Sequence, residues 1–178
     1  MALPLILSLG LSATVFAAVS SGSAEPKPTE TTIECEGVQV WDKKKKECVD
    51  SGETNLDDDT LYDAVRELAY AGRHLAAMGV IDAMSDQNDD RVLTYKGFTK
   101  RKLGNFDAAM VFDQKAIDKN PDNILARSYM GQGMMDQGNK IGAVTQLCEI
   151  NARVGADTWA ALSLSNAIAK SISYSHWF

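Results

Sequence analysis

The chain has 178 residues, 45% of them hydrophobic, and a net charge of −6. That is enough apolar material for one domain with its own core. The acidic balance excludes a generic nucleic-acid binder, which needs a basic surplus.

Residues 1–24 contain no Asp, Glu, Lys or Arg, and the run Leu3 to Val19 is almost wholly apolar. It gives way to Ser20-Ser21-Gly22-Ser23-Ala24, whose small residues suit a signal peptidase. An export signal over 1–24 is therefore predicted, with a periplasmic or secreted mature chain. A spanning helix needs about 17–25 apolar residues, so an uncleaved anchor is the alternative, and only then a membrane partner. Ser8, Gly10, Ser12 and Thr14 interrupt the run and favour cleavage.

Glu25-Pro26-Lys27-Pro28 opens an extended linker over 25–34. In the next segment Val38 and Val40 alternate with polar residues, and Asp42 with Lys43 to Lys46 supplies a turn. A β-hairpin over 35–49, closed by a Cys35–Cys48 disulfide, is the simplest reading. An isolated hairpin is marginal in water, and a disulfide closing so short a loop adds about 3 kcal/mol on the chain-entropy model. The pairing fits an exported protein. Cys148 is then left over, in apolar phase with Val144 and Leu147, and is expected to be a buried free thiol. A second linker is expected over 50–56.

From Asp57 the pattern turns helical and stays so to about 172, with a short tail over 173–178. Asp57-Asp58-Asp59-Thr60 places acidic side chains at the positive end of a helix dipole. Offset by 34 residues, Tyr95 meets Tyr129, Gly97 meets Gly131, Gly104 meets Gly138, Asn105 meets Asn139 and Ala109 meets Ala143. Such a period is the signature of stacked helix–turn–helix units. Gly97 and Gly131 admit the second helix to the first, Gly104 and Gly138 close the first helix in a left-handed turn, and Pro121 stops the second. The units fall at 57–89, which is degenerate, 90–123 and 124–156, with a capping helix from 157. The predicted fold class is all-α, a helix–turn–helix solenoid with a small N-terminal disulfide-stapled β-hairpin.

The stretch from Gly97 through Leu103-Gly104-Asn105-Phe106-Asp107-Ala108-Ala109 to Lys115-Ala116-Ile117-Asp118-Lys119-Asn120-Pro121 resembles a tetratricopeptide repeat. With Cys35, Gly37, Val40, Trp41, Asp42 and Cys48 ahead of the repeats, the chain is similar to small exported alphaproteobacterial repeat proteins. Lys96, Lys100 and Asp113 stand where such repeats usually carry large apolar residues, which implies local repacking with snorkelling lysine stems.

The resemblance implies a concave groove lined by the first helices: Tyr62, Arg66, Thr94, Phe98, Arg101, Lys102, Ser128, Gln132 and Met135. Aromatic, methionine and arginine side chains there suit a protein or peptide partner. Phe98 and Met135 can equally fill gaps between units. The lysine–asparagine clamp of chaperone-tail-binding relatives is replaced by Thr94/Phe98 and Ser128/Gln132. An alternative ligand is an envelope glycan or anionic polymer, held by the hairpin. Trp41 and Asp42 there resemble small carbohydrate-binding hairpins, although Trp41 can also pack over the disulfide or the first repeat.

Lys100-Arg101-Lys102 complements its helix C-terminus or meets an acidic partner. His74 and His176 have no spacing for a metal site or a triad, and Asp57 to Asp59 lack the glycine and glutamate of a calcium loop. Met130, Met134 and Met135 near Cys148 read as core rather than a copper(I) site. No enzyme activity, metal or cofactor is expected.

Overall fold

A computed structural model describes residues 25–52, 56–154 and 157–174. The predicted signal over 1–24 lies outside them, as does His176. The described elements are α1 (Glu30–Ile33), β1 (Gln39–Asp42), β2 (Glu47–Asp50), α2 (Asp58–Tyr70), α3 (His74–Ala83), α4 (Asp90–Lys102), α5 (Phe106–Lys119), α6 (Ile124–Asp136), α7 (Lys140–Val154) and α8 (Trp159–Tyr174). Three helix pairs, α2/α3, α4/α5 and α6/α7, stack so that each first helix also meets the next, and α8 closes the last pair. The chain is an all-α helix–turn–helix stack with a disulfide-joined antiparallel hairpin.

The turns are built alike. Gly72, Gly104 and Gly138 take φ of +78°, +82° and +78°, where an L side chain is strained. Each donates to a carbonyl three residues back, and the following residue reaches one five back, as Asn105 N–H does to Lys100. Carbonyls that the helix end leaves open are thereby satisfied. Asn105 and Asn139 then cap α5 and α7 by accepting from the backbone N–H of Ala108 and Gly142. The turn glycines lie 104 − 72 = 32 residues apart and then 138 − 104 = 34, so the first unit is two residues short.

Gly97 and Gly131 are contact points of different kinds. A Cβ on Gly97 would meet Asp113 Oδ1 at 2.0 Å and the Ala109 carbonyl at 3.3 Å, so the second helix of its own unit lies against it. On Gly131 it would meet Leu164 of α8 at 2.7 Å. The expectation of one shared role therefore holds for Gly97 only; at Gly131 the capping helix takes the notch.

Three acids at the head of α2 have three jobs. Asp57 caps the helix through the Thr60 N–H at 2.8 Å. Asp58 accepts from the Ser85 backbone at 3.0 Å, and Asp59 pairs with Arg91 of α4 at 2.8 Å.

The N-terminal region departs from the predicted string of linkers. Residues 25–34 carry the short helix α1, and Glu67 of α2 holds it down. The Glu67 carboxylate is buried and accepts from the backbone N–H and hydroxyl groups of both Thr29 and Thr32. Arg73 binds the hairpin side by donating to the carbonyls of Cys35 at 2.9 Å and Gly37 at 3.2 Å. Val40 joins the core of the first pair, and Val38 fills the notch at Gly79. A Glu needs such partners before it can be buried, and here they come from the segment that the sequence suggested was free.

Glu67→Ala should therefore release α1, lowering stability by about 2 kcal/mol, since four donors lose a charged acceptor but regain water. Urea unfolding with limited proteolysis checks this: new cleavage should fall within residues 25–34, and an unchanged midpoint and cleavage pattern would refute the docking role.

Candidate functional site

The predicted groove wall is mostly interior. Tyr62, Arg66, Thr94, Phe98, Arg101 and Ser128 are buried, Gln132 and Met135 are half-buried, and only Lys102 is exposed. As an open peptide-binding wall the set is corrected by size: large rings on successive first helices meet one another and fill the concavity. Phe98 stacks on Tyr70 with centroids 5.6 Å apart and lies 4.7 Å from Tyr129. Tyr70 of the first unit also meets Trp159 of the capping helix at 5.4 Å, so the two ends of the stack touch across the inner face.

The polar members of the wall have structural partners. Thr94 donates to the Asp90 carbonyl at 2.7 Å and accepts from Asn123 Nδ2 at 2.9 Å. Ser128 donates to the Ala160 carbonyl at 2.8 Å, tying α6 to the cap. The Arg101 guanidinium is pinned by Asp136 at 2.8 Å and Gln132 at 3.2 Å. The phenols form a chain: Tyr129 shares a hydrogen bond with Tyr70 at 2.9 Å and donates to Tyr95 at 3.4 Å. Burial raises the pKa of all three, so they stay neutral.

One end of the concave face keeps chemistry at the surface. The Lys102 ammonium sits 5.6 Å from the Phe98 ring centroid, and His74 lies against the same ring at 6.1 Å. Packing around the ammonium, and then the Arg101 charge, hold the Lys102 pKa below the usual lysine value. Burial, and then Lys102 and Arg101, lower that of His74. Gln132 and Met135 are half-buried on the neighbouring helix, beside the Arg101–Asp136 pair in Gln132's case.

A second opening lies where the sequence placed the alternative. A cleft of about 290 Å³ is walled by the N-terminal segment, the hairpin and α2, with Lys27, Trp41, Lys43, Asp63 and Arg66 on its sides. Trp41 pairs across the hairpin with Cys48 and is half-buried. Asp42 is not part of this face: its carboxylate accepts from the Lys44 and Lys45 backbone, which lowers its pKa and fixes the turn.

Cys148 is exposed rather than buried. The helix turns it outward with Ile141 and Val144, an apolar stripe that faces solvent and that periodicity alone mistook for a core face. Met130 and Met134 pack instead with Met110 and Phe112. Of the two lysines expected to snorkel, Lys96 does so: it lies 5.8 Å from the Phe112 centroid and reaches the Gln87 carbonyl at 3.4 Å.

Asp113 was read only as a departure from pattern. It is 1% exposed, fills the notch at Gly97, and neither carboxylate oxygen has a hydrogen-bond partner among the described residues. Burial raises its pKa well above the ordinary carboxylate value, against the opposing charge of Arg101.

No protein-family model matches this chain, and no curated protein matches it. Among the described residues no group of three or more His, Cys, Asp or Glu could hold a metal ion, and no helix is long and apolar enough to cross a membrane.

Two outcomes follow from the buried polar groups. Tyr129→Phe removes the middle hydroxyl and leaves the Tyr70 phenol short of a partner, while Tyr95 keeps Arg66, lowering stability by about 1 kcal/mol; a thermal melt no different from wild type would refute the chain's role. Asp113 keeps its proton to higher pH when folded than when unfolded. The folded state therefore binds more protons above the unfolded pKa, and this contribution to stability is lost as pH rises through the folded pKa. Asp113→Asn should thus gain stability over wild type at pH 8 and little near pH 4. Urea midpoints across that range test it, and a difference independent of pH would reject a neutral Asp113.

Proposed function

We propose that this protein is an exported adaptor of the tetratricopeptide type. It grips a short acidic segment of a protein partner at the one end of its concave face that remains open. The observation that carries this reading is the surface around Phe98. Lys102 stands over an aromatic ring, with the fixed Arg101 charge behind it and His74 kept neutral beside it. Arg101 is paired with Asp136, so Lys102 is the cation here that a carboxylate can still reach. Half-buried Gln132, bonded to Arg101, adds hydrogen-bonding contact.

Export is supported by the apolar leader and by the Cys35–Cys48 disulfide, a bond that persists in oxidising compartments. The 34-residue spacing, the left-handed turn glycines and the buried Ala109 and Ala143 support the tetratricopeptide assignment. A long peptide along the whole inner wall is not favoured, because rings and structural hydrogen bonds occupy it.

The test is crosslinking of the tagged protein in its native envelope, repeated with Lys102→Glu and Trp41→Ala. Lys102→Glu should cut recovery of the crosslinked partner at least tenfold, with an unchanged melting curve, while Trp41→Ala leaves recovery intact. The opposite pattern would move the partner to the hairpin and reject the concave-face reading.

A further inference from the structure

We infer that the cleft between the stapled hairpin and α2 is a binding site for an acidic sugar, a ring bearing a carboxylate alongside free hydroxyl groups. This inference is independent of the adaptor reading, since it uses other residues on another part of the molecule.

The cleft's volume of about 290 Å³ lies at the lower end of small-molecule sites, the size of a single ring-sized group rather than a drug-sized ligand. Its walls come from three separate stretches of chain that docking holds together. The N-terminal segment brings Lys27, the hairpin brings Trp41 and Lys43, and α2 brings Thr60, Asp63 and Arg66. Because Glu67 and Arg73 fasten the first two stretches to the third, the cleft is preformed and a ligand need not order it.

Charge selects the ligand. Neither Lys27 nor Lys43 has a carboxylate within 4 Å among the described residues. Neutral groups of Thr29 and Thr32 occupy the Glu67 carboxylate without cancelling its charge, and Asp63 lies 3.5 Å from Arg66, so Lys27, Lys43 and Arg66 face two carboxylates. The charge left over is positive, on a chain whose net charge is −6. An anion is therefore drawn here and repelled from most of the surface.

Shape and polarity narrow the class. The half-buried Trp41 indole offers an apolar, electron-rich face, on which the C–H face of a saturated ring can lie. Asp63, whose side chain is 74% exposed, is an acceptor for ligand hydroxyls, and the Thr60 hydroxyl can donate or accept. A neutral sugar satisfies the indole and Asp63 but leaves both ammonium groups uncompensated. Inorganic phosphate satisfies the lysines but not the indole. An acidic peptide brings carboxylates without a saturated ring to place on Trp41.

The experiment titrates the oxidised full chain with a trimer of galacturonic acid, a neutral trimer of glucose, inorganic phosphate and a Glu-rich peptide, read by calorimetry at low salt. Binding of the uronate trimer at least tenfold tighter than the other three is the expected result. Lys27→Gln with Lys43→Gln, both at exposed positions, should weaken it at least tenfold without moving the melting temperature, and Trp41→Ala should weaken it as much. Equal binding of the neutral trimer, phosphate or the peptide would overturn the assignment of class. Uronate binding that survives the double lysine variant would overturn the site.

Discussion

Three phenol hydroxyls, from Tyr70, Tyr129 and Tyr95, satisfy one another at the centre of the stack, and each comes from a different helix pair. A buried hydroxyl without a partner costs about 1–3 kcal/mol, so no pair can shift relative to its neighbours without leaving one of them bare. The rings that carry these hydroxyls are large: Tyr70 stacks parallel on Phe98, while Tyr95 and Tyr129 pack tilted against it and edge-on to each other. Together they join the first helices of the three pairs, and the cap meets the first pair where Trp159 lies 5.4 Å from Tyr70. The closed concave face, and the restriction of surface chemistry to its ends, follow from that one seam.

The hairpin plays the complementary part at the other end of the stack. A solenoid's terminal helix has an apolar face with no further repeat to cover it. Here Val38, Val40 and α1 supply the cover, and Glu67 and Arg73 convert a loose tail into part of the first unit. The disulfide holds the two short strands together, and docking gives the hairpin the third layer that two strands lack. The cleft lined by Trp41 exists only because of both.

The repeat was legible in the sequence because its anchors have steric duties that few residues can perform. A left-handed turn selects glycine at 104 and 138, and a helix crossing selects alanine at 109 and 143. Asp89 and Asn123, also 34 residues apart and both helix caps, belong to the same pattern but were hidden because either side chain can cap. The state of the groove was not legible. Periodicity assigns Phe98 and Thr94 to the inner side of a helix, but whether that side meets solvent depends on the rings of two other helices. Cys148 shows the converse: its neighbours Ile141 and Val144 share its face and are apolar, yet nothing packs on them among the described elements. Nothing in the local sequence singles out Glu67, since its four donors lie more than thirty residues away.

Where positive charge remains after internal pairing decides what such a molecule can attract. Arg101, Arg127 and Arg153 are committed to Asp136, Glu149 and Asp122. Asp59 and Asp89 hold Arg91 in the same way. The cations left at openings are Lys102 at the mouth of the concave face, and Lys27 and Lys43 at the cleft. In a chain of net charge −6 these openings draw an anion, as do the exposed Lys44, Lys45 and Lys46 at the hairpin tip. Their aromatic floors then differ in use. Phe98 is locked among other rings beneath a lysine, which suits a short acidic contact. Trp41 stands on a two-stranded hairpin with one side toward the cleft and suits a ligand that brings a ring of its own. On the two proposals made above, the openings differ by the accessibility of one aromatic face rather than by charge.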